Sequence, residues 1–145
     1  MTAKNMIKVA LLSATLLPSL CYALDEKDKE TAYEIAEMFA SCAGTYDAVS
    51  EFIKSDSHLS KAYSELANGA QYAGALVLTS VGIMKFNPAL DYIKGMAEPK
   101  TNQTIAFLSH GGLEEAEKDL QECMAMNEMQ AELIKDLRRT AYENQ

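Results

Sequence analysis

The apolar residues of this chain recur at intervals of three and four positions, and this spacing restricts the fold to α-helices. The first of four such segments carries Ala32, Ile35, Phe39, Cys42, Tyr46, Val49 and Ile53. An α-helix places side chains at that spacing on one face, whereas a half-buried strand needs strict alternation of apolar and polar residues. No stretch of the sequence alternates in that way. The pattern therefore predicts an all-α protein.

Turn-forming residues divide the chain into four predicted helices. Residues 55–57 separate the first from the second, which is expected to run from about 58 to 86. Asn87 and Pro88 begin the third, and residues 109–112 precede the fourth. Short connections between long helices favour an up-down-up-down four-helix bundle. Pro99 lies inside the third helix, which we expect to be kinked or split there because proline removes a backbone donor.

Residues 1–23 are typical of a secretory signal peptide. Lys4 and Lys8 precede an apolar stretch, and the small-residue end at 21–23 suits cleavage after Ala23. We predict that residues 24–145 form a single domain secreted into a bacterial periplasm. The alternative is a lipoprotein anchored at Cys21, although Leu20 stands where such signals normally have a small residue.

Removal of the signal leaves two cysteines, Cys42 and Cys123, which are 81 positions apart. Cysteines of exported proteins usually oxidise. Both lie on predicted apolar faces, and the proposed bundle places them at similar depths. We therefore predict a disulfide between the first and fourth helices. A thiol nucleophile or metal site is the alternative, but neither cysteine has CxxC spacing or a histidine nearby in sequence.

The chain is acidic, and the acids are concentrated at its two ends. Without the two lysines of the predicted signal peptide, residues 24–145 contain 11 basic and 21 acidic residues, a net charge of −10. Residues 24–56 have a net charge of −6, residues 113–145 of −5, and the middle of +1. Such a surface repels nucleic-acid phosphates and anionic lipid, and it suits a cationic protein partner such as a lysozyme.

The sequence contains few residues that could carry chemistry. It has two histidines, His58 and His110, and lacks a haem-attachment motif, a nucleophile elbow and a phosphate-binding glycine loop. We therefore predict a protein that is not an enzyme and needs no cofactor.

Three methionines, Met124, Met126 and Met129, are weak candidates for metal ligands because thioethers suit Cu(I). On a helix Met126 and Met129 share a face while Met124 points away, so a three-sulfur site would need a second helix. The alternative is that these flexible side chains fill the core or an interaction face.

Nineteen consecutive residues, 66–84, carry no charge. Polar residues such as Asn68 and Gln71 argue against membrane contact. The stretch suits either a central helix that neighbours approach closely or a face for a partner or a second copy of the chain.

Together these features predict an exported protein that acts by binding another protein, as an inhibitor, an immunity or exclusion factor, or a stress-protective chaperone. One alternative is a metal-binding helical bundle. The other is a structural component of the cell envelope that forms homo-oligomers through the second helix. The candidate partner face combines small residues of the second helix with acids of the fourth: Gly69, Ala70, Ala73, Gly74, Glu114, Glu115 and Glu117.

Overall fold

The computed structural model describes residues 26–143, and it describes the side chains of residues 26–132, 134 and 135. The predicted signal peptide and Cys21 lie outside the described residues, so export and lipid anchoring stay predictions.

The described chain consists of four α-helices and contains no strand, which confirms the all-α prediction. They are α1 (Glu26–Phe52), α2 (Ser57–Ser80), α3 (Phe86–Ser109) and α4 (Leu113–Glu143). Asp56 caps α2, since its carboxylate accepts a hydrogen bond from the backbone N–H of Leu59.

The second helix ends six residues earlier than the apolar spacing predicted. It stops at Ser80, and Gly82 adopts a φ of 73°, a left-handed conformation that glycine tolerates better than other residues. The apolar residues Ile83 and Met84 pack against the core from the connection that follows. Their apolar character therefore reflects burial in a turn.

The core lies mainly between α1, α2 and α3. Helix α1 is its centre and buries Phe39 and Tyr46 almost completely. Small side chains let the backbones approach: Gly74 of α2 lies close to Ile93 and to the backbone of Ala36. Most of the uncharged stretch of α2 thus packs against the chain's own helices, whereas Asn68 and Tyr72 are exposed.

Helix α4 contributes much less to the core. Among its described side chains, only Ala116 and Cys123 are buried apolar groups. It is joined to α1 by the predicted disulfide between Cys42 and Cys123, which the structure confirms.

Pro99 lies inside α3, which is continuous from Phe86 to Ser109. The chain is therefore not split at Pro99, and a kink there stays a prediction. Pro99 and Gly95 are both exposed, so water can reach the Gly95 carbonyl that would otherwise accept the missing hydrogen bond.

Within the described residues, we find no helix with enough length and apolar character for a membrane span.

Candidate functional site

The disulfide lies at the contact between α1 and α4. The Cα atoms of Cys42 and Cys123 are 5.2 Å apart, and both side chains are about 95% buried. Both cysteines occupy the apolar faces expected from the sequence. One side of the bridge meets the core, and the other meets a cleft.

This α1–α4 cleft has a volume of about 380 Å³. It is lined by Met38, Ser41, Cys42, Thr45, Asp119, Glu122, Cys123, Ala125 and Met126. Its lining is mostly apolar, with carboxylates contributed by α4. It can accommodate a small ligand or an inserted side chain.

Two polar groups of α1 lie beside the disulfide. The Thr45 hydroxyl is fully buried in the cleft wall and has no hydrogen-bond partner among the described residues. Tyr46 donates a hydrogen bond to the Asn127 Oδ1 atom at 3.3 Å. Burial raises the pKa of the Tyr46 hydroxyl, and the hydrogen bond to Asn127 partly offsets this effect.

The three candidate methionines lie in different surroundings. The Met126 Sδ atom is 3.8 Å from the Cys42 Sγ atom. Met124 is 54% exposed, and Met129 is half-buried. The described contacts therefore bring only Met126 to the disulfide. In the described part of the chain, no three His, Cys, Asp or Glu side chains are grouped closely enough to share a metal ion.

The acids predicted for a partner face, Glu114, Glu115 and Glu117, are all exposed at the start of α4. Glu114 and Glu115 lie in the first helical turn, where the helix dipole favours negative charge.

Further along α4, Asp119 forms an ion pair of 2.6 Å with Lys100 of α3. Glu122 is exposed at the cleft and has no ion-pair partner among the described side chains. The exposed glutamates of α4 thus have no ion-pair partner among the described side chains, although exposed Lys118 lies between them.

The small residues of the predicted partner face lie elsewhere. Ala70, Ala73 and Gly74 are buried in the core, and half-buried Gly69 lies beside Gln130 of α4. The structure does not bring them together with the acids at the start of α4. A partner could reach the three buried residues only after the helices separate.

A second cleft separates α2 from the later part of α4. It has a volume of about 530 Å³ and is lined by Leu66, Asn127, Gln130, Ala131, Ile134 and Lys135. Its amide groups and its one cation give it a different chemistry from the α1–α4 cleft.

The histidines lie at the surface. His58 is exposed in the first turn of α2, and His110 is exposed at the end of α3. The His110 Nδ1 atom lies 2.7 Å from the Ala106 carbonyl oxygen, which is one helical turn earlier. This contact is local to the end of the helix.

Sequence reasoning missed the α1–α4 cleft and its residues Met38, Ser41 and Thr45. Their positions carry a signal: Met38 and Thr45 lie four residues before and three after Cys42, on the same side of α1. Once the disulfide is placed, this spacing identifies the turns that must face α4.

In comparisons with known proteins, no family model, curated protein or solved structure matches the chain.

Proposed function

We propose that this chain is an exported, non-enzymatic protein that binds a cationic protein partner through the acidic surface of α1 and α4. The observation that carries the proposal is the set of six exposed glutamates on α4: Glu114, Glu115, Glu117, Glu122, Glu128 and Glu132. Among the described side chains, none of them is in an ion pair.

Helix α1 adds to this surface. Its exposed acids are Glu26, Glu30, Glu34, Glu37 and Glu51. The disulfide fixes α4 against α1, so both helices carry their negative charge on one covalently linked unit. By contrast, α2 and α3 together have only three acids, Glu65, Asp91 and Glu98.

The α1–α4 cleft supplies an apolar contact beside that charge. Glu122 at its edge can pair with a lysine or arginine, while Met38 and Met126 can pack against the aliphatic part of that side chain. Charge would steer the encounter, and the apolar contact would slow dissociation. An inhibitor, an immunity or exclusion factor, or a chaperone could each use this arrangement.

The experiment compares two matched triple variants of the oxidised mature chain as baits in the exported compartment. In the test variant Glu114, Glu115 and Glu117 are replaced by lysine. In the control variant Glu65, Asp91 and Glu98 are replaced by lysine. Both variants change the net charge equally, and all six residues are exposed.

We expect wild type and control to capture a cationic protein that the test variant loses. Association of that protein should be about tenfold or more slower with the test variant at low salt. Equal capture by both triple variants would show that the start of α4 does not carry the contact.

We also propose that consecutive helices run in alternating directions, as in an up-down-up-down bundle. Ser50 meets Ser60 beside the first connection, and Gly74 meets Ala36 far from it, as expected for antiparallel α1 and α2. The Lys100–Asp119 ion pair supports antiparallel α3 and α4.

The contacts of α4 with α1 support a steep crossing of these two helices. Cys42 meets Cys123 and Tyr46 meets Asn127, so the contacts advance in the same direction along both helices. Antiparallel helices that lie side by side give contacts that advance in opposite directions, so these contacts do not support an antiparallel α1–α4 pair. The proposed alternating order therefore requires α4 to cross α1 at a steep angle.

A further inference from the structure

We infer that reduction of the disulfide turns Cys42, Cys123 and Met126 into a three-sulfur binding site for Cu(I). The site shares Met126 and the α1–α4 cleft with the proposed partner contact, but its argument depends on the sulfur positions and not on the identity of that partner. It uses residues of α1 and α4 that face the α1–α4 cleft.

The three sulfur atoms already converge. Met126 follows Cys123 by three residues on the same face of α4, and its Sδ atom is 3.8 Å from the Cys42 Sγ atom. Metal–thiolate bonds are about 2.3 Å long, so three sulfurs around one ion lie about 4 Å apart. Met126 is therefore at the required distance from Cys42, and the two cysteine sulfurs must separate once their bond is reduced.

The cleft gives the ion a route to these sulfurs. Both cysteines, Met126 and Thr45 line it. The Thr45 hydroxyl is buried and has no hydrogen-bond partner among the described residues, so a hydrogen bond to a thiolate would satisfy it.

The ligand set selects a soft ion. Two thiolates and a thioether suit Cu(I), whereas Zn²⁺ usually takes four thiolate, imidazole or carboxylate ligands. Two carboxylates line the cleft, but Asp119 pairs with Lys100, and Glu122 does not form a metal-binding group of three with the cysteines among the described residues.

The chemistry balances with a thiol reductant as co-reactant. Two reductant thiols cleave the Sγ–Sγ bond, give up two electrons and two protons, and become a disulfide. Cys42 and Cys123 are then free thiols. Binding of Cu(I) displaces their two protons to water, and copper stays in the +1 state.

The test is an anaerobic Cu(I) titration of the mature chain against the chromophoric chelator bicinchoninate. It compares oxidised wild type with reduced wild type, Met126→Leu, Met124→Leu and Cys42→Ser. Met124→Leu is the matched control, because it removes a thioether from the same helix at a position that is 54% exposed.

We expect reduced wild type and Met124→Leu to bind one Cu(I) equally. Met126→Leu should bind about tenfold or more weakly, and oxidised wild type and Cys42→Ser should not compete with the chelator. X-ray absorption of the loaded protein should show three sulfur ligands.

Equal affinity of Met126→Leu and Met124→Leu would overturn the proposal, as would equal binding by the oxidised protein. The comparison of the two methionine variants also detects unfolding, because an unfolded chain would not distinguish Met126 from Met124. Far-UV circular dichroism of each reduced variant provides a separate check on folding.

Discussion

Gly44 sets the distance between α1 and α3. A Cβ atom added there would lie 2.8 Å from the Cβ of Lys100 and 2.9 Å from the backbone nitrogen of Thr101. Because backbone atoms in a helix cannot shift independently, only glycine fits this contact. Gly95, in the middle of α3, has open space around its Cα.

The first prediction contrasts these two glycines. Gly44→Ala should lower the free energy of unfolding by about 1–3 kcal/mol, because the methyl group forces α1 and α3 apart. Gly95→Ala should raise it by up to about 1 kcal/mol through the better helix propensity of alanine. Urea unfolding measures both, and a Gly44→Ala protein as stable as wild type would contradict the packing described.

Asp47 illustrates the cost of a partly buried charge. Burial raises the pKa of its carboxyl group, and repulsion by Glu51 adds to this effect. Gln71 offers only a long hydrogen bond of 3.5 Å. Because the folded pKa lies above the unfolded one, ionised Asp47 destabilises the fold at neutral pH. The penalty disappears as the pH falls and the carboxyl becomes protonated.

The second prediction is that Asp47→Asn raises the melting temperature at pH 7. The difference from wild type should shrink as the pH falls and the wild-type Asp47 carboxyl, whose pKa burial raises, becomes protonated. Glu98→Gln, which removes an exposed acid of α3, serves as the control. If Asp47→Asn melted below wild type at pH 7, the predicted stabilisation by this substitution would be wrong.

At the scale of the elements, α4 depends on the disulfide more than on packing. Its 31 residues contribute two buried apolar groups among the described side chains, whereas α1 contributes nine. A bridge that closes 81 positions restricts the unfolded chain and stabilises the fold by about 4.5 kcal/mol in the loop-entropy treatment.

The third prediction follows from this imbalance. In the Cys42→Ser, Cys123→Ser double variant, amide hydrogens of α4 should exchange faster, while those of α1, α2 and α3 stay protected at neutral pH. Hydrogen-exchange mass spectrometry resolves the helices separately. Equal loss of protection in all four helices would mean that α4 belongs to the same cooperative unit as the others.

The sequence was most informative where a pattern has one structural solution. Three-four spacing requires a helical face, and two cysteines on such faces allow one pairing, so the all-α fold and the Cys42–Cys123 bridge were predictable. The end of α2 was not predictable. Ile83 and Met84 are apolar because a turn buries them, and their spacing would look the same if they belonged to the helix. The continuity of α3 through Pro99 was not predictable either, because the exposure of Gly95 and Pro99 is visible only in the structure.

The candidate site was partly predictable for a similar reason. Exposure of Glu114, Glu115 and Glu117 follows from their charge alone. The α1–α4 cleft depends on how α4 lies on α1, which is set by tertiary contacts such as Tyr46–Asn127 and leaves no local pattern in the sequence.

At the scale of the whole molecule, the excess of acids over bases, a net charge of −8 for the full sequence, opposes folding. The described side chains form four ion pairs, three of them largely exposed and therefore weak. Most acids of α1 and α4 have no ion-pair partner among the described side chains. We therefore expect repulsion among these acids to exceed the attraction in the four pairs.

The fourth prediction is that added salt stabilises the protein. Raising sodium chloride from low concentration to about 0.15 M shortens the screening length to about 8 Å and should raise the melting temperature. Glu128→Gln with Glu132→Gln removes a repulsive i,i+4 pair of α4, so this variant should melt higher at low salt and respond less to added salt. A melting temperature that falls as salt is added would show that attraction dominates. The acidic surface would then stabilise the fold, and its proposed role in partner binding would lose the argument that this charge is unpaired.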